Sequence, residues 1–528
     1  MKRLNLATAL VVGVALAGLT ACMAPPTGPL SSAVNAGGSS PPVSTSGQVT
    51  GDSALAQEEA DCAAKLPGSP WARTLVRAFN SDAEHTGLFS CARFGGSMTG
   101  PNTVETRQST VVYGTPFSTA TLGTDAVYIY GGCNGGANPP GLVSYVAKVK
   151  PGTLEQVWRT ELSDARNNNE IHLCGSVEAL ADGSLIATAD HTVYKLDGDT
   201  GKIIAQADPP HGSTPVNDVA INGADAFSDG SIVVKTWNRV AGCTQNGIFA
   251  MYKCKGALTG QATPSVLAVL DSKSLKVLDS VELQDNISSR ISTAVFRAHE
   301  YVYITSTNQL FRYAWDGDEL TKDTTWGPVT YPQRGQTGGG TPTPMNDWII
   351  ENTNGITKPM SIVAVSQADA STMATIQPNP TMQQGQHSTS AAKPTVDPAN
   401  NRIYMCDFNL GTCSAIDLRN GKLSLAWKAD MRTQAFTSII GPPDKRVFVA
   451  SNMKSSTESD PTKYNYGPTG ANFTEQYQWR DAATGKLLAT SDYYPPKSEA
   501  SQTPPGYGGL IYGLANDGKL QTLYARPQ

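Results

Sequence analysis

Thr192-Val-Tyr-Lys-Leu-Asp-Gly-Asp-Thr-Gly-Lys-Ile-Ile204 reads as a strand, a tight polar turn and a second strand. Asp and Gly supply the backbone geometry that a sharp reversal needs. The pattern returns in Val266-Leu-Ala-Val-Leu-Asp-Ser-Lys-Ser-Leu-Lys-Val-Leu278, Cys413-Ser-Ala-Ile-Asp-Leu-Arg-Asn-Gly-Lys-Leu423 and Tyr477-Gln-Trp-Arg-Asp-Ala-Ala-Thr-Gly-Lys-Leu-Leu488. Looser copies surround Gly152, Gly317, Asp369 and Asp517. A hairpin repeated at intervals of about 50 residues marks a repeat architecture.

Two more strand-like runs precede each hairpin, for example 176–180 and 184–189 before the Asp197 turn. Four short antiparallel strands per repeat predict an all-β chain folded as a single β-propeller over residues 110–528. Blades are expected to start near Phe117, His172, Asn217, Ser292, Thr341, Ser390, Phe436 and Tyr507, so eight are favoured over seven. The last repeat has room for only two strands. A strand near residues 110–113 is expected to complete it and close the ring, leaving no free sheet edge.

Upstream, Lys2 and Arg3 precede an uncharged stretch over residues 6–19 that is too short to span a bilayer. It ends in Leu19-Thr20-Ala21-Cys22, which resembles the lipobox of bacterial lipoproteins. The resemblance implies a signal peptide over 1–21, diacylglycerol on Cys22 and a membrane-anchored, extracytoplasmic protein. Residues 22–56 are rich in Pro, Gly, Ser and Thr, and are expected to form a disordered tether reaching on the order of 30 Å. Residues 57–109 form an extension ahead of the propeller; within it, 69–89 is read as a short helix or an ordered plug.

Only 16% of residues are charged, with 50 Gly, 34 Pro and a net charge of −5. No basic run exists to neutralise phosphates, which excludes nucleic acid as a partner, and the chain is expected to be monomeric. Without Cys22 eight cysteines remain, an even number that predicts disulfides outside the cytoplasm. Connectivity is open, and sequential pairing is simplest: Cys62–Cys91, Cys133–Cys174, Cys243–Cys254 and Cys406–Cys413. Zinc is the competing reading, but no paired Cys-x2-Cys spacing supports it.

Ala415 with Asp417, Asp197 with Thr200-Gly201-Lys202, and Asp481 with Thr484-Gly485-Lys486 resemble the repeat of the quinoprotein-like propellers. That superfamily includes dehydrogenases, scaffold lipoproteins and binding proteins, so the resemblance implies architecture rather than activity. The closing Trp of its repeat is met only at Trp158; the corresponding positions elsewhere are Ala205, Leu425 and Ala489. The adjacent-cysteine disulfide of its quinone-dependent alcohol dehydrogenases is absent, as is a Cys-x-x-Cys-His haem attachment. Pyrroloquinoline quinone (PQQ) and haem are therefore not expected. Asp197-Gly198-Asp199 and Asp316-Gly317-Asp318 are read as turns, with Ca²⁺ as the alternative. Gly51-Asp52-Ser53-Ala54 is read as a chance match to an esterase block, lying in the tether.

Ligands of propellers usually meet the face where loops lead into each innermost strand. Those loops carry Glu170, His172, His211, Asp218, Arg290, Gln386, His387 and Arg432. Amides, imidazoles and guanidiniums suit hydroxyl and carboxylate groups, as in a glycan or cell-envelope fragment. Glu170, His172, His211 and His387 form the alternative, a metal cluster. The structural reading of each is a strand cap. His85 and His299 are left outside any site. A binding or assembly module facing a glycan or an envelope protein is favoured over an enzyme.

Overall fold

A computed structural model describes residue 49 and residues 51–528, apart from 134–142, 164–170, 172, 245–262, 391, 456, 459–462, 465–470 and 497–500. Its strands form eight antiparallel sheets in a ring, one per repeat. The innermost strands are Pro116–Thr121, Ser176–Ala179, Val219–Ala226, Ser292–Phe296, Thr343–Met345, Thr395–Asp397, Ser438–Ile440 and Pro505–Gly506. They open blades 1 to 8 in chain order. Each begins within a few residues of its expected start.

Burial explains the composition of each layer. Inner strands are covered on both faces and read as continuous small or apolar runs, as in Ser184–Ala189. Outer strands alternate, as in Ile203–Ala207 and Val277–Glu282, because one face meets water. Blade 8 takes its outer strand from the other end of the chain: Asn102–Gln108 pairs with Leu520–Pro527. The closing strand thus lies upstream of the expected 110–113. Those residues instead turn across the blade 8 to blade 1 junction, where the Tyr113 amide bonds Gly518 O at 2.6 Å.

The repeated turns are Asx turns. Asp197 Oδ1 accepts from the Thr200 amide and hydroxyl at 2.8 and 2.7 Å, and Asp481 treats Thr484 alike at 2.8 Å. The carboxylates therefore serve the backbone. One turn residue must adopt positive φ: Gly201 and Gly485 do so at 74° and 75°, Leu154 and Leu275 at 60° and 57°. Trp158 packs on Gly201, and Trp427 packs on Gly485 in the same way. The sequence reading missed Trp427 by counting to Leu425. The Asn420-Gly421 turn is tighter, pairing Arg419 with Lys422 where blade 2 pairs Leu196 with Ile203. This moves the equivalent outer-strand position two residues on.

Disulfides join Cys62 to Cys91, Cys133 to Cys174 and Cys406 to Cys413. Cys243 is also disulfide-bonded, and its expected partner Cys254 lies outside the described residues. Cys22 lies outside them too.

A helix, Ser53–Ala63, opens inside the stretch expected to be tether. Asp52 caps it by accepting from the Ala54 and Leu55 amides, so Gly51-Asp52-Ser53-Ala54 is a helix start. Glu59 of this helix is fully buried against blade 8 and accepts from the amides of Arg93 and Gly508.

Candidate functional site

The chain between this helix and the closing strand runs into the ring. Residues 70–89 line up with innermost strands, forming main-chain hydrogen bonds with Thr121, Ala179, Thr293, Val396 and Ile439 of blades 1, 2, 4, 6 and 7. Leu88–Phe89 continues as a parallel partner of Ser438–Ile440. The Tyr507 hydroxyl of blade 8 contacts the Leu75 amide and the Thr74 hydroxyl at 3.1 Å. The run is an ordered plug and carries no helix. Trp71 bridges to Leu180 at the end of the innermost strand of blade 2, while Leu75, Val76 and Phe79 lie in no strand, so the ring provides their core.

The plug reverses at Asn80 and Ser81, both at positive φ. Beside this tip Phe79 stacks on Phe117 and meets Phe436 edge-on, with centroids 5.7 and 5.1 Å apart. The Arg290 guanidinium lies 3.9 Å from the Phe79 ring centre and donates to the carbonyls of Cys174 and Gly175. Gly223, at positive φ, leaves the space that Arg290 Nη1 occupies.

On the returning arm His85 is 3% exposed. Its Nδ1 is 2.7 Å from Phe79 O, and its Nε2 is 3.2 Å from Asp225 Oδ2 of blade 3, an ion-pair contact rather than a linear hydrogen bond. Asp225, Arg290, Lys235 and His85 line a cavity of about 10 Å³, room for one water. Lys235 Nζ donates to Thr236 O and Ile287 O at 3.2 and 2.6 Å. Glu178 is fully buried nearby.

Burial dominates the electrostatics here. It lifts the Asp225 carboxyl to about 6 against the pull of His85, and Glu178 to about 8 against Ser176 and Arg290. It lowers Lys235 to about 7, with Arg290 adding repulsion.

Of the residues expected at the mouth, Arg290 reaches this centre. Asp218 is ion-paired with Arg239 at 2.7 Å and fixes the loop into blade 3. Arg432 donates to the carbonyls of Phe408 and Asn409, bracing the hairpin that Cys406–Cys413 closes. Gln386 is exposed, and its Oε1 accepts from the Gln383 amide within its own turn. His387 is half-buried, which holds its imidazole below the usual range. His211 is half-buried before the turn Val216–Asp218, its carbonyl accepting from the Thr214 amide at 3.3 Å. Glu170 and His172 lie outside the described residues. Among the described residues, no group of three or more His, Cys, Asp or Glu is placed to hold a metal.

Sequence reasoning set His85 aside and did not single out Phe79, Asp225, Lys235 or Glu178. The usable signal was the apolar content of 69–89, too rich for a linker. A planar quinone does not fit this axis, because Phe79 lies between Phe117 and Phe436 there and no described disulfide joins neighbouring cysteines.

No family model and no curated protein matches the chain. Solved structures do. Quinohemoprotein alcohol dehydrogenase from Comamonas testosteroni is 11% identical, covers 89% of this chain and 84% of its own, and superposes with a TM-score of 0.54. BamB from Moraxella catarrhalis is 10% identical over 77% of this chain and 95% of its own, with a TM-score of 0.45. AztD from Citrobacter koseri is 11% identical over 71% and 87%, with a TM-score of 0.38. At such identities the likeness concerns fold alone, and the chain is an eight-bladed β-propeller whose channel is stoppered by its own N-terminal segment.

Proposed function

We propose that this chain is a lipid-anchored, extracytoplasmic propeller that works as a binding or assembly module, with Cys22 carrying the anchor and a glycan or envelope protein as ligand. The filled channel carries the reading. Phe79, Asn80 and His85 occupy the axis, so recognition falls to the loops around the mouth. Those loops are braced by Cys133–Cys174, Cys406–Cys413 and the Arg432 clamp, which suits a surface whose shape is read by a partner.

Two experiments test the two halves. Replacing Cys22→Ser is expected to move the protein from the membrane to the soluble fraction; retention in the membrane overturns the anchor. For the module, a photocrosslinker is placed at His211 or Gln386 and, as a control, at exposed Val295 on the far face. Adducts with envelope protein or glycan are expected from the mouth positions alone. Equal yields from both faces, or turnover of an alcohol or polysaccharide by the purified protein, overturn it.

A further inference from the structure

The contacts of His85 fix how many protons it shares with Asp225. A carbonyl oxygen only accepts, so the 2.7 Å approach of Nδ1 to Phe79 O places a proton on Nδ1. A neutral ring then leaves Nε2 without a proton beside Asp225 Oδ2, 3.2 Å away. An ionised carboxylate and a bare imidazole nitrogen repel at that distance. The contact is attractive only when one proton is held between them, on Nε2 or on the carboxyl. Neither residue faces bulk solvent: His85 is 3% exposed and Asp225 is fully buried.

The two residues belong to different parts of the molecule. His85 sits on the returning arm of the plug, Asp225 on the innermost strand of blade 3. On the same arm the carbonyls of Ala83, Thr86 and Gly87 hold the amides of Thr293, Val396 and Ile439. Losing the pair therefore loosens the arm from the wall.

We propose that His85 and Asp225 form a proton-operated latch: the plug is held in the channel while the pair carries one proton, and its returning arm is released when that proton leaves. The other charged groups around the pair are Asp82 on the plug, Lys235 on blade 3, Arg290 on the loop into blade 4 and Glu178 on blade 2. In the unfolded chain at neutral pH a free aspartate is ionised and a free histidine mostly neutral, so the folded pair holds the extra proton. The latch is complete below about pH 4 and is lost as pH rises through about 6, the value to which burial lifts the Asp225 carboxyl. Burial of Asp225 favours the protonated pair and agrees with this direction.

The test is hydrogen exchange of the Gly87, Val396 and Ile439 amides, corrected for intrinsic chemistry, at about pH 4.5 and about pH 8. The Ala72 amide on the entering arm is the internal reference. Protection is expected to fall at least tenfold relative to Ala72 on going to the higher pH. Asp225→Asn supplies a permanent N–H to neutral Nε2, so it is expected to keep the protection and abolish its pH dependence. A purely structural pair predicts that Asp225→Asn loosens the arm at both pH values. A flat wild-type profile, or an unchanged slope in Asp225→Asn, overturns the latch. Should that variant not fold, NMR of the wild-type His85 ring and Asp225 carboxyl decides: a proton on Nε2 or on the carboxyl at about pH 4.5, besides the one on Nδ1, that is lost by about pH 8 supports the proposal, and its absence at the lower pH overturns it.

Discussion

Trp427, on the outer strand of blade 6, faces Gly485 in the turn of blade 7: a Cβ on that glycine would meet the indole at 2.8 Å. The indole N–H also donates to Ala482 O at 2.9 Å. Trp158 and Gly201 repeat the arrangement between blades 1 and 2, at 2.6 Å. Adjacent blades are thus keyed together, a large side chain on one matching a bare backbone on the next. Gly485→Ala must shift the indole and place a Cβ at a φ of 75°, costing about 1–3 kcal/mol. Trp427→Ala is expected to cost about 3–5 kcal/mol. Denaturant titration checks both, and a neutral Gly485→Ala would refute the keying.

The key is inverted between blades 2 and 3. The position of Trp158 is taken by Ala205, and the turn residue at positive φ is Leu275, buried in the same cluster as Ala205. Leucine fills the space that an indole fills elsewhere. Ala205→Trp alone should overpack the junction by about 1–3 kcal/mol, and Leu275→Gly alone should leave a cavity of similar or greater cost. Combined, they rebuild the Trp-on-Gly contact. A favourable coupling of about 1–3 kcal/mol is expected in a double-mutant cycle; additivity within error would show that the two sites do not share the space.

How much of this was legible depends on periodicity. The hairpin motif at Asp197, Asp271 and Asp481 repeats because those blades close their outer hairpins with the same Asx turn, so blade number and starts could be read directly. The plug has no such period. Phe79 and His85 obtain their partners from blades 1, 3, 4 and 7, contacts that no local pattern records. Asp225 and Lys235 sit inside ordinary strand sequence, where a buried charge looks like an outward-facing one. Arg290 was found from its loop position, although its partners are an aromatic ring and two carbonyls rather than a ligand.

Glu59 gives a pH dependence of known sign. Burial raises its carboxyl to about 7, against hydrogen bonds from Gly508, Arg93 and Gly509 and the nearby Arg93 charge. A raised carboxyl binds its proton more tightly when folded, so its contribution is complete below about pH 4.5 and is lost as pH climbs to about 7. The span corresponds to roughly 3 kcal/mol. Glu59→Gln keeps an acceptor for one amide and does not titrate. The stability difference between variant and wild type should therefore move in favour of Glu59→Gln from about pH 5 to about pH 8, and a difference independent of pH would show that Glu59 is not buried as a carboxylic acid.

The disulfides should differ in worth because they close loops of different length and prior order. Cys62–Cys91 spans 29 residues and encloses the plug between the helix Ser53–Ala63 and the ring. Loop closure of that size is worth about 3–4 kcal/mol. Cys406–Cys413 spans 7 residues and joins registered partners of a hairpin already paired through Tyr404↔Ala415 and Asp407↔Thr412. Its cross-link restricts a chain that the backbone ladder restricts anyway. The double Ser variant at 62 and 91 is accordingly expected to lower the melting temperature more than the one at 406 and 413, and to raise exchange at Gly87 and Ile439 before the outer strands open. If the 406/413 variant proved the more damaging, the plug would owe its place to the surrounding blades rather than to the staple at its base.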